Sequence, residues 1–397
     1  MKIKNRFWLL VVLCLFVWPV AAQTKPELSF VGAMQTATFD WRMEVPALQN
    51  AANESAAKLL AGGNLYVAGT QLSFRDEALG RSGGLMMVKV LADNTQLTKN
   101  DVILAALDSG SDADAAQKIA QRAAAAGTGV LWFAGPSRDA LKNIAAARVF
   151  PARQFSNLNY AEAPGVESVG NIMGMWTWMA ALVAASVQRG KMPTAFVSGA
   201  MPGGGERNGL FRKTPFHEST DVTITSLDNL PQRYLDAVAN ALFAMRQTQG
   251  ESFVRGAQIL RGAQARGHRV VVGYLGHMFP YELNGPRRPD WKVAAKTQVD
   301  ATVPPELQDG DAFLFLGYQG FPYDLTSALQ ARNIKSIVTT SRPPLDKWKT
   351  SADIVYINPF WEVPDAAVSL HGYDVDLFPI SGIMQGTIYW QLVELAQ

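Results

Sequence analysis

Apolar and polar positions along this chain follow two rhythms. Apolar residues every three or four positions predict helices at Met43–Ala61, Asp112–Ala126, Val166–Arg189, Tyr234–Met245, Ser252–Ala265, Leu325–Arg332 and Pro379–Ala396. Short apolar runs closed by turn residues predict strands at Asn64–Ala68, Val102–Ala106, Val130–Ala134 and Thr194–Ser198. A second set of strands is expected at Arg269–Val272, Ala312–Leu316, Ser336–Thr340 and Asp353–Ile357. Residues 23–42 show no clear period and read as a mixed lead-in. The Pro-rich and charged stretch Leu283–Asp309 reads as an insertion that covers a site or forms an interface.

The pattern states its plan twice. A helix ending in Ala61-Gly62-Gly63 runs into the first strand, which closes at Gly69-Thr70; later, Ala265-Arg266-Gly267-His268 leads into a strand closing at Gly273. Asn100-Asp101 opens one following strand and Gly310-Asp311 the other; each ends in a turn, Asp108-Ser109-Gly110-Ser111 and Gly317-Tyr318-Gln319-Gly320 respectively. Two copies of strand, turn and helix predict two α/β lobes with parallel sheets, with a site between them or at their strand ends. The expected division is residues 1–22, a first lobe over 23–215, a connection over 216–233, and a second, more divergent lobe over 234–397.

Composition narrows the function. The 397 residues are 48% hydrophobic with a formal net charge of +2, and no Lys/Arg cluster stands out, so nucleic acid is not an expected partner. The first 22 residues differ from the rest: Lys2, Lys4 and Arg6, an apolar run from Phe7 to Val20, then Val20-Ala21-Ala22 before Gln23. That is the pattern of a secretory signal peptide cleaved after Ala22, which predicts a periplasmic or secreted protein with no stable membrane insertion afterwards. Cleavage removes three basic residues and takes the net charge to about −1. The single cysteine, Cys14, lies inside this segment, and Val11-Val12-Leu13 before it does not suit a lipidation signal. A mature chain without cysteine has no disulfide, thiolate ligand or cysteine nucleophile. His217, His268 and His371 lack ligand-spaced partners, so no metal is expected, and the sequence carries no sign of a cofactor.

One stretch carries a resemblance. Gly62-Gly63-Asn64-Leu65-Tyr66-Val67-Ala68-Gly69-Thr70-Gln71-Leu72-Ser73, then Glu77, then Arg81-Ser82-Gly83-Gly84-Leu85, resembles a sugar isomerase (SIS) domain, a phosphosugar-binding α/β module. It is similar to a bacterial subfamily whose first turn reads Gly-Thr-Gly-His-Ser. Gly203-Gly204-Gly205-Glu206-Arg207-Asn208 resembles a later Gly-Gly-x-Glu-x-Asn turn of the same subfamily. The likeness covers about residues 43–215, and the second lobe keeps the strand plan with few motif residues. It implies flavodoxin-like, three-layer α/β/α lobes arranged as a pseudo-dimer, with a site at the seam.

The resemblance also implies roles. Thr70, Ser73, Ser109, Ser111 and Asn208 become ligand-binding candidates, because strand-end amides and hydroxyls at helix starts hold anions and sugar oxygens. Gln71, Asp108 and Gln319, which are not the family's motif residues, join them as amides and a carboxylate suited to a neutral or amino sugar. Glu77 becomes the candidate base for moving a proton next to a sugar carbonyl, Glu206 the second choice, and His277 an aid to ring opening. Blander readings stand beside these. Ser73 and Ser109 suit helix capping, Glu77 a solvated first helical turn, His277 a structural histidine, and Met173, Met175, Trp176, Trp178 and Met179 core packing.

The departures shape the expected ligand. Gln71-Leu72 stands where the subfamily has Gly-His, and Leu107-Asp108 where it has Ser-Asn. A carboxylate there repels phosphate by roughly 1–4 kcal/mol at ~4 Å, so a neutral or amino sugar suits the turn better. Three functions remain open: a binding module for a sugar or sugar derivative, a sugar aldose–ketose isomerase or related deaminating enzyme, and a structural partner with empty clefts. Association of two such chains into a homo-oligomer is also open.

Overall fold

The computed structural model describes residues 27–107, 113–134, 141, 147–151, 165–223, 227–275, 290–294, 303–349 and 351–397. The first lobe runs α1 (Ser29–Leu60), β1 (Leu65–Gly69), α2 (Leu72–Glu77), β2 (Val88–Val90), β3 (Val102–Ala106), α3 (Ala113–Ala125), β4 (Val130–Ala134), β5 (Ala147–Pro151), α4 (Val166–Val187) and α5 (Gly204–Phe211). The second runs α6 (Leu230–Thr248), α7 (Gly250–Ala265), β6 (Val270–Tyr274), β7 (Lys292–Val293), β8 (Ala312–Leu316), α8 (Tyr323–Ala331), β9 (Lys335–Thr339), α9 (Asp346–Lys349), β10 (Ile354–Tyr356) and α10 (Ser381–Ala396). Both sheets are parallel and have five strands, ordered β2-β1-β3-β4-β5 and β7-β6-β8-β9-β10. Counted within each lobe, the order is the same. The α/β class with parallel sheets is therefore as the pattern predicts.

Three expectations change. The lead-in is helical: α1 begins at Ser29, and Phe30, Met34, Ala37, Trp41, Val45 and Leu48 line its buried side. Pro46 lies inside α1 but is exposed, so its missing N–H falls on the solvent face. Thr194–Ser198 does not join the sheet. Ala195 makes an isolated antiparallel bridge to Leu85, and Pro193 another to Phe216, because the far edge of the sheet is taken by β5. Within Leu283–Asp309, residues 292–293 form the edge strand β7, while 283–289 and 295–302 lie outside the described residues.

Between the sheets lies a layer of helices from both lobes. All of α4 is buried, packed against α1 and α6, so its apolar length reflects an interior position. It is long and apolar enough to cross a membrane, yet it is enclosed by protein. Gly174 makes the packing possible: a Cβ there would come within 2.2 Å of the Trp41 ring, whose indole donates to Gly170 O at 2.8 Å. α10 closes the layer against α7, α1 and α4. Its Glu394 accepts the Phe30 N–H at 3.2 Å and the Ser29 hydroxyl, so a helix of lobe two satisfies the open N-terminus of α1.

The repeated Asn-Asp and Gly-Asp phrases do the same work. Asp101 accepts from the Asn64 N–H (2.8 Å) and the Thr98 N–H (2.6 Å), tying the start of β3 to that of β1. Asp311 accepts from the Arg269 N–H (2.9 Å) and the Gln308 N–H (2.8 Å), tying β8 to β6. Burial raises both carboxyl pKa values, but it is outweighed by the backbone donors at Asp101 and, at Asp311, by the Arg269 guanidinium (2.7 Å) together with its backbone donors, so both lie below the usual carboxylate range. Their stabilisation is thus present above the unfolded pKa and disappears as the pH falls through the lower folded value. Asp101→Ala and Asp311→Ala should each cost roughly 2–3 kcal/mol at pH 7 by losing charge-assisted bonds to backbone donors. Urea unfolding at pH 7 and again near pH 3 checks this; the gap between variant and parent should narrow in acid.

Candidate functional site

Glycine at the end of β1 turns the chain into α2, and the resembling motif occupies this turn. Gln71 points inward and is 1% exposed. Its Nε2 donates to Ser168 O at 2.9 Å and to Ser73 Oγ at 3.2 Å, and its Oε1 accepts from Asn171 Nδ2 at 2.8 Å. Gln71 and Ser73 are therefore brought together and tied to α4 by these bonds, with Thr70 half-buried at the rim. Asp108, Ser109, Ser111 and His277 lie outside the described residues.

Glu77 is the last residue of α2 and is 1% exposed, so it is not a solvated first-turn side chain. Arg81, one turn further on, brings Nε to 3.3 Å from Glu77 Oε1 and donates through Nη2 to Asp365 Oδ2 at 2.8 Å. Asp365 comes from the second lobe and has a positive φ of 58°. Its Oδ1 accepts the N–H groups of Ile380 (3.2 Å) and Ser381 (3.0 Å), and its Oδ2 accepts the hydroxyls of Ser381 (2.6 Å) and Tyr318 (3.3 Å). It thus fills the capping position of α10, where the helix dipole favours a carboxylate. Arg81 Nη2 also bonds to the Ser381 hydroxyl. Gly382, in the first turn of α10, lies directly over Glu77: a Cβ there would fall 2.5 Å from Glu77 Oε1. The resulting constellation of Glu77, Arg81, Asp365, Ser381 and Tyr318 spans the seam.

Burial pushes the Glu77 carboxyl up to about 7; Arg81 pulls it down and the Asp365 charge pushes it further up. The Trp176 side chain adds a hydrogen bond to the carboxylate that also lowers its pKa. A carboxyl titrating near neutrality has the acidity required of a general base, although this one is enclosed by α10.

The rest of the motif joins lobes as well. Gly83 N donates to Phe196 O at 2.7 Å, and Gly83 O accepts the Phe378 N–H of lobe two at 3.0 Å. Asn208 makes a pair of bonds with the backbone of Val197, Val197 N to Oδ1 and Nδ2 to Val197 O, both 2.9 Å. Arg207 grips Asp374 with Nε (2.7 Å) and Nη2 (2.8 Å), and its guanidinium carbon lies 5.1 Å from the centre of the Phe211 ring. Glu206 is exposed on the first turn of α5, well separated in character from the buried Glu77. Gln319 is exposed after β8, and its carbonyl accepts from Arg342 N (3.2 Å) and Ser341 Oγ (3.0 Å).

Asp365 and Ser381 had no sequence signal. Asp365 precedes the helix it caps by sixteen residues, too far for the usual local capping pattern. Among the described residues no cluster of three or more His, Cys, Asp or Glu could hold a metal ion.

Replacing Arg81 by Met leaves Asp365 and Glu77 buried without their cation and should cost about 3–5 kcal/mol, read by denaturant unfolding. The groups facing Glu77 are Arg81, Asp365, Asp76 and Tyr234. Its folded pKa lies above the unfolded value of 4.5, so its contribution is fully present below 4.5 and is lost as the pH rises through about 7. Glu77→Gln should therefore flatten the fall in melting temperature between pH 5 and pH 8. A slope unchanged from the parent would show that Glu77 does not titrate there.

No family model matches the chain, and no curated protein matches it in sequence. Solved structures do resemble it in overall course. A protein from Salmonella typhimurium LT2 assigned as sugar-binding has 10% identity and a TM-score of 0.46, with 92% of this chain and 98% of that chain covered. A protein from Clostridium difficile 630 assigned as a phosphosugar isomerase has 10% identity and a TM-score of 0.42, with 92% of each chain covered. The C-terminal domain of glucosamine-fructose-6-phosphate aminotransferase from Francisella tularensis has 8% identity and a TM-score of 0.46, with 90% of this chain and 95% of that chain covered.

Proposed function

We propose that this chain is an exported SIS-like protein that binds a sugar or amino sugar without turning it over. One observation carries the reading: Glu77, the candidate base, is enclosed between Arg81 and the first turn of α10. A base must come within hydrogen-bond reach of the proton it removes, and here the Gly382 backbone occupies that approach. Gln71, a ligand candidate from the sequence, is spent on α4 and Ser73, so the sugar contacts of this reading must come from elsewhere than its side chain. The tandem arrangement rests on the shared strand order of the two sheets and on the matching roles of Asp101 and Asp311. Export rests on the basic, apolar and small-residue pattern of residues 1–22.

The second reading, a sugar isomerase with Glu77 as base, is favoured by the acidity of that carboxyl near 7. The two are separated by binding and turnover measured on the same protein. The chain from Gln23 should melt higher with an unphosphorylated sugar or amino sugar; a ligand at a hundred times its dissociation constant adds about 2.7 kcal/mol. Glu77→Gln should keep that shift, and no aldose–ketose conversion of the stabilising sugar should appear with either protein. Stabilisation by phosphosugars alone, or conversion lost in Glu77→Gln, would favour the isomerase. Mass spectrometry of the exported protein should find Gln23 at its N-terminus; a retained leader contradicts cleavage.

A further inference from the structure

We propose that the sugar is bound by lobe two, on an aromatic wall at the carboxyl ends of β8, β9 and β10; this rests on the sugar-binding reading above. The wall is built from Phe321, Tyr323, Trp348 and Tyr356. Ring centres lie 5.0 Å apart for Phe321 and Tyr323, 6.0 Å for Phe321 and Trp348, 5.9 Å for Tyr323 and Trp348, and 6.4 Å for Phe321 and Tyr356. Phe321 is buried beneath, and the other three are half-buried. All four belong to the strand-end side of the sheet, where open α/β folds place their ligands.

The hydroxyls of the wall are already in use. Tyr356 donates to Thr340 O at 2.7 Å, and Tyr323 accepts the Leu345 N–H at 3.0 Å. They hold the two ends of the loop after β9. Gln319 O fixes its middle through Arg342 N and Ser341 Oγ, and Thr340 Oγ1 donates to Arg342 O at 3.0 Å. Such strapping makes the loop rigid before any ligand arrives, which removes an ordering cost from binding. It carries an exposed guanidinium, Arg342, that has no carboxylate partner among the described residues.

The chemistry matches an unphosphorylated pyranose. One face of such a ring is made of C–H groups and packs on aromatic rings, while its edge presents neighbouring hydroxyls. A planar guanidinium fork can donate to two of those hydroxyls at once; Gln319, on the turn after β8 that is bonded to this loop, brings a side-chain amide to the same edge. Gln319, a ligand candidate from the sequence, thereby gains a setting that its own turn did not reveal. No covalent step is involved.

The test uses the chain from Gln23, the sugar that most raises its melting temperature among glucose, galactose, mannose, glucosamine and their N-acetyl forms, and isothermal titration. Arg342→Ala and Trp348→Ala should each weaken that sugar's binding by about tenfold or more. Leu210→Ser, on the exposed side of α5, should bind as the parent does. Arg342 is exposed, so Arg342→Ala should retain the parent's circular dichroism and melting temperature and report on binding even if Trp348→Ala fails to fold. Parent-like affinity in Arg342→Ala and in a folded Trp348→Phe variant would overturn the lobe-two site and leave the sugar-binding reading standing. Absence of any binding by the parent would overturn both.

Discussion

Asp365 offers one carboxylate oxygen to the open N–H groups of α10 and the other to the Arg81 guanidinium from the opposite lobe. The arrangement of the seam follows from that double commitment. An isolated ion buried to this depth is costly, and the cost is met only because the helix end, the Ser381 hydroxyl and Arg81 all converge on the same group. Arg81 is in turn held next to Glu77, and Glu77 lies against Gly382. Moving one lobe relative to the other would break several charge-assisted bonds together. The seam therefore has one favoured geometry, and the Arg207–Asp374 grip adds a second anchor away from the core.

The same enclosure decides what Glu77 can reach. A proton-transfer site needs a carboxylate with a perturbed acidity and a route to it. Burial supplies the perturbation for Glu77, while the α10 backbone removes the route. At the β1 turn, an amide side chain fills space and is satisfied internally. The strand ends of lobe two are built differently, with half-buried rings and a loop tied down by phenolic hydroxyls. Both lobes thus spend polar groups on the seam, while the strand ends of lobe two add half-buried rings and the exposed Arg342.

Much of this architecture was legible in the chain. The buried strands were visible as short apolar runs, and the Asp101 and Asp311 phrases marked equivalent positions because each carboxylate must satisfy the start of a neighbouring strand. The helix over 29–42 was hidden by Thr36, Thr38, Asp40 and Arg42, which interrupt an otherwise regular spacing of Phe30, Met34, Ala37 and Trp41. Thr194–Ser198 has strand-like residues but pairs with the loop at 83–86, a choice made by tertiary competition for the sheet edge. At the seam, Glu77 could be singled out from the motif. Its enclosure could not, since Asp365 and Gly382 lie some three hundred residues away and carry no local mark.

The capping of α1 has a consequence for how the protein comes into being. Ser29 and Phe30 find their partner in Glu394, and 365 residues separate Ser29 from it. While α10 is still inside the ribosome, the first helix has exposed donors at its start and an uncovered flank along Val31 and Met34. The donors at the start of α1 must therefore wait for nearly the whole polypeptide before they are satisfied. The first helix thus stays frayed at its start until the last helix docks, so the two ends of the chain order together.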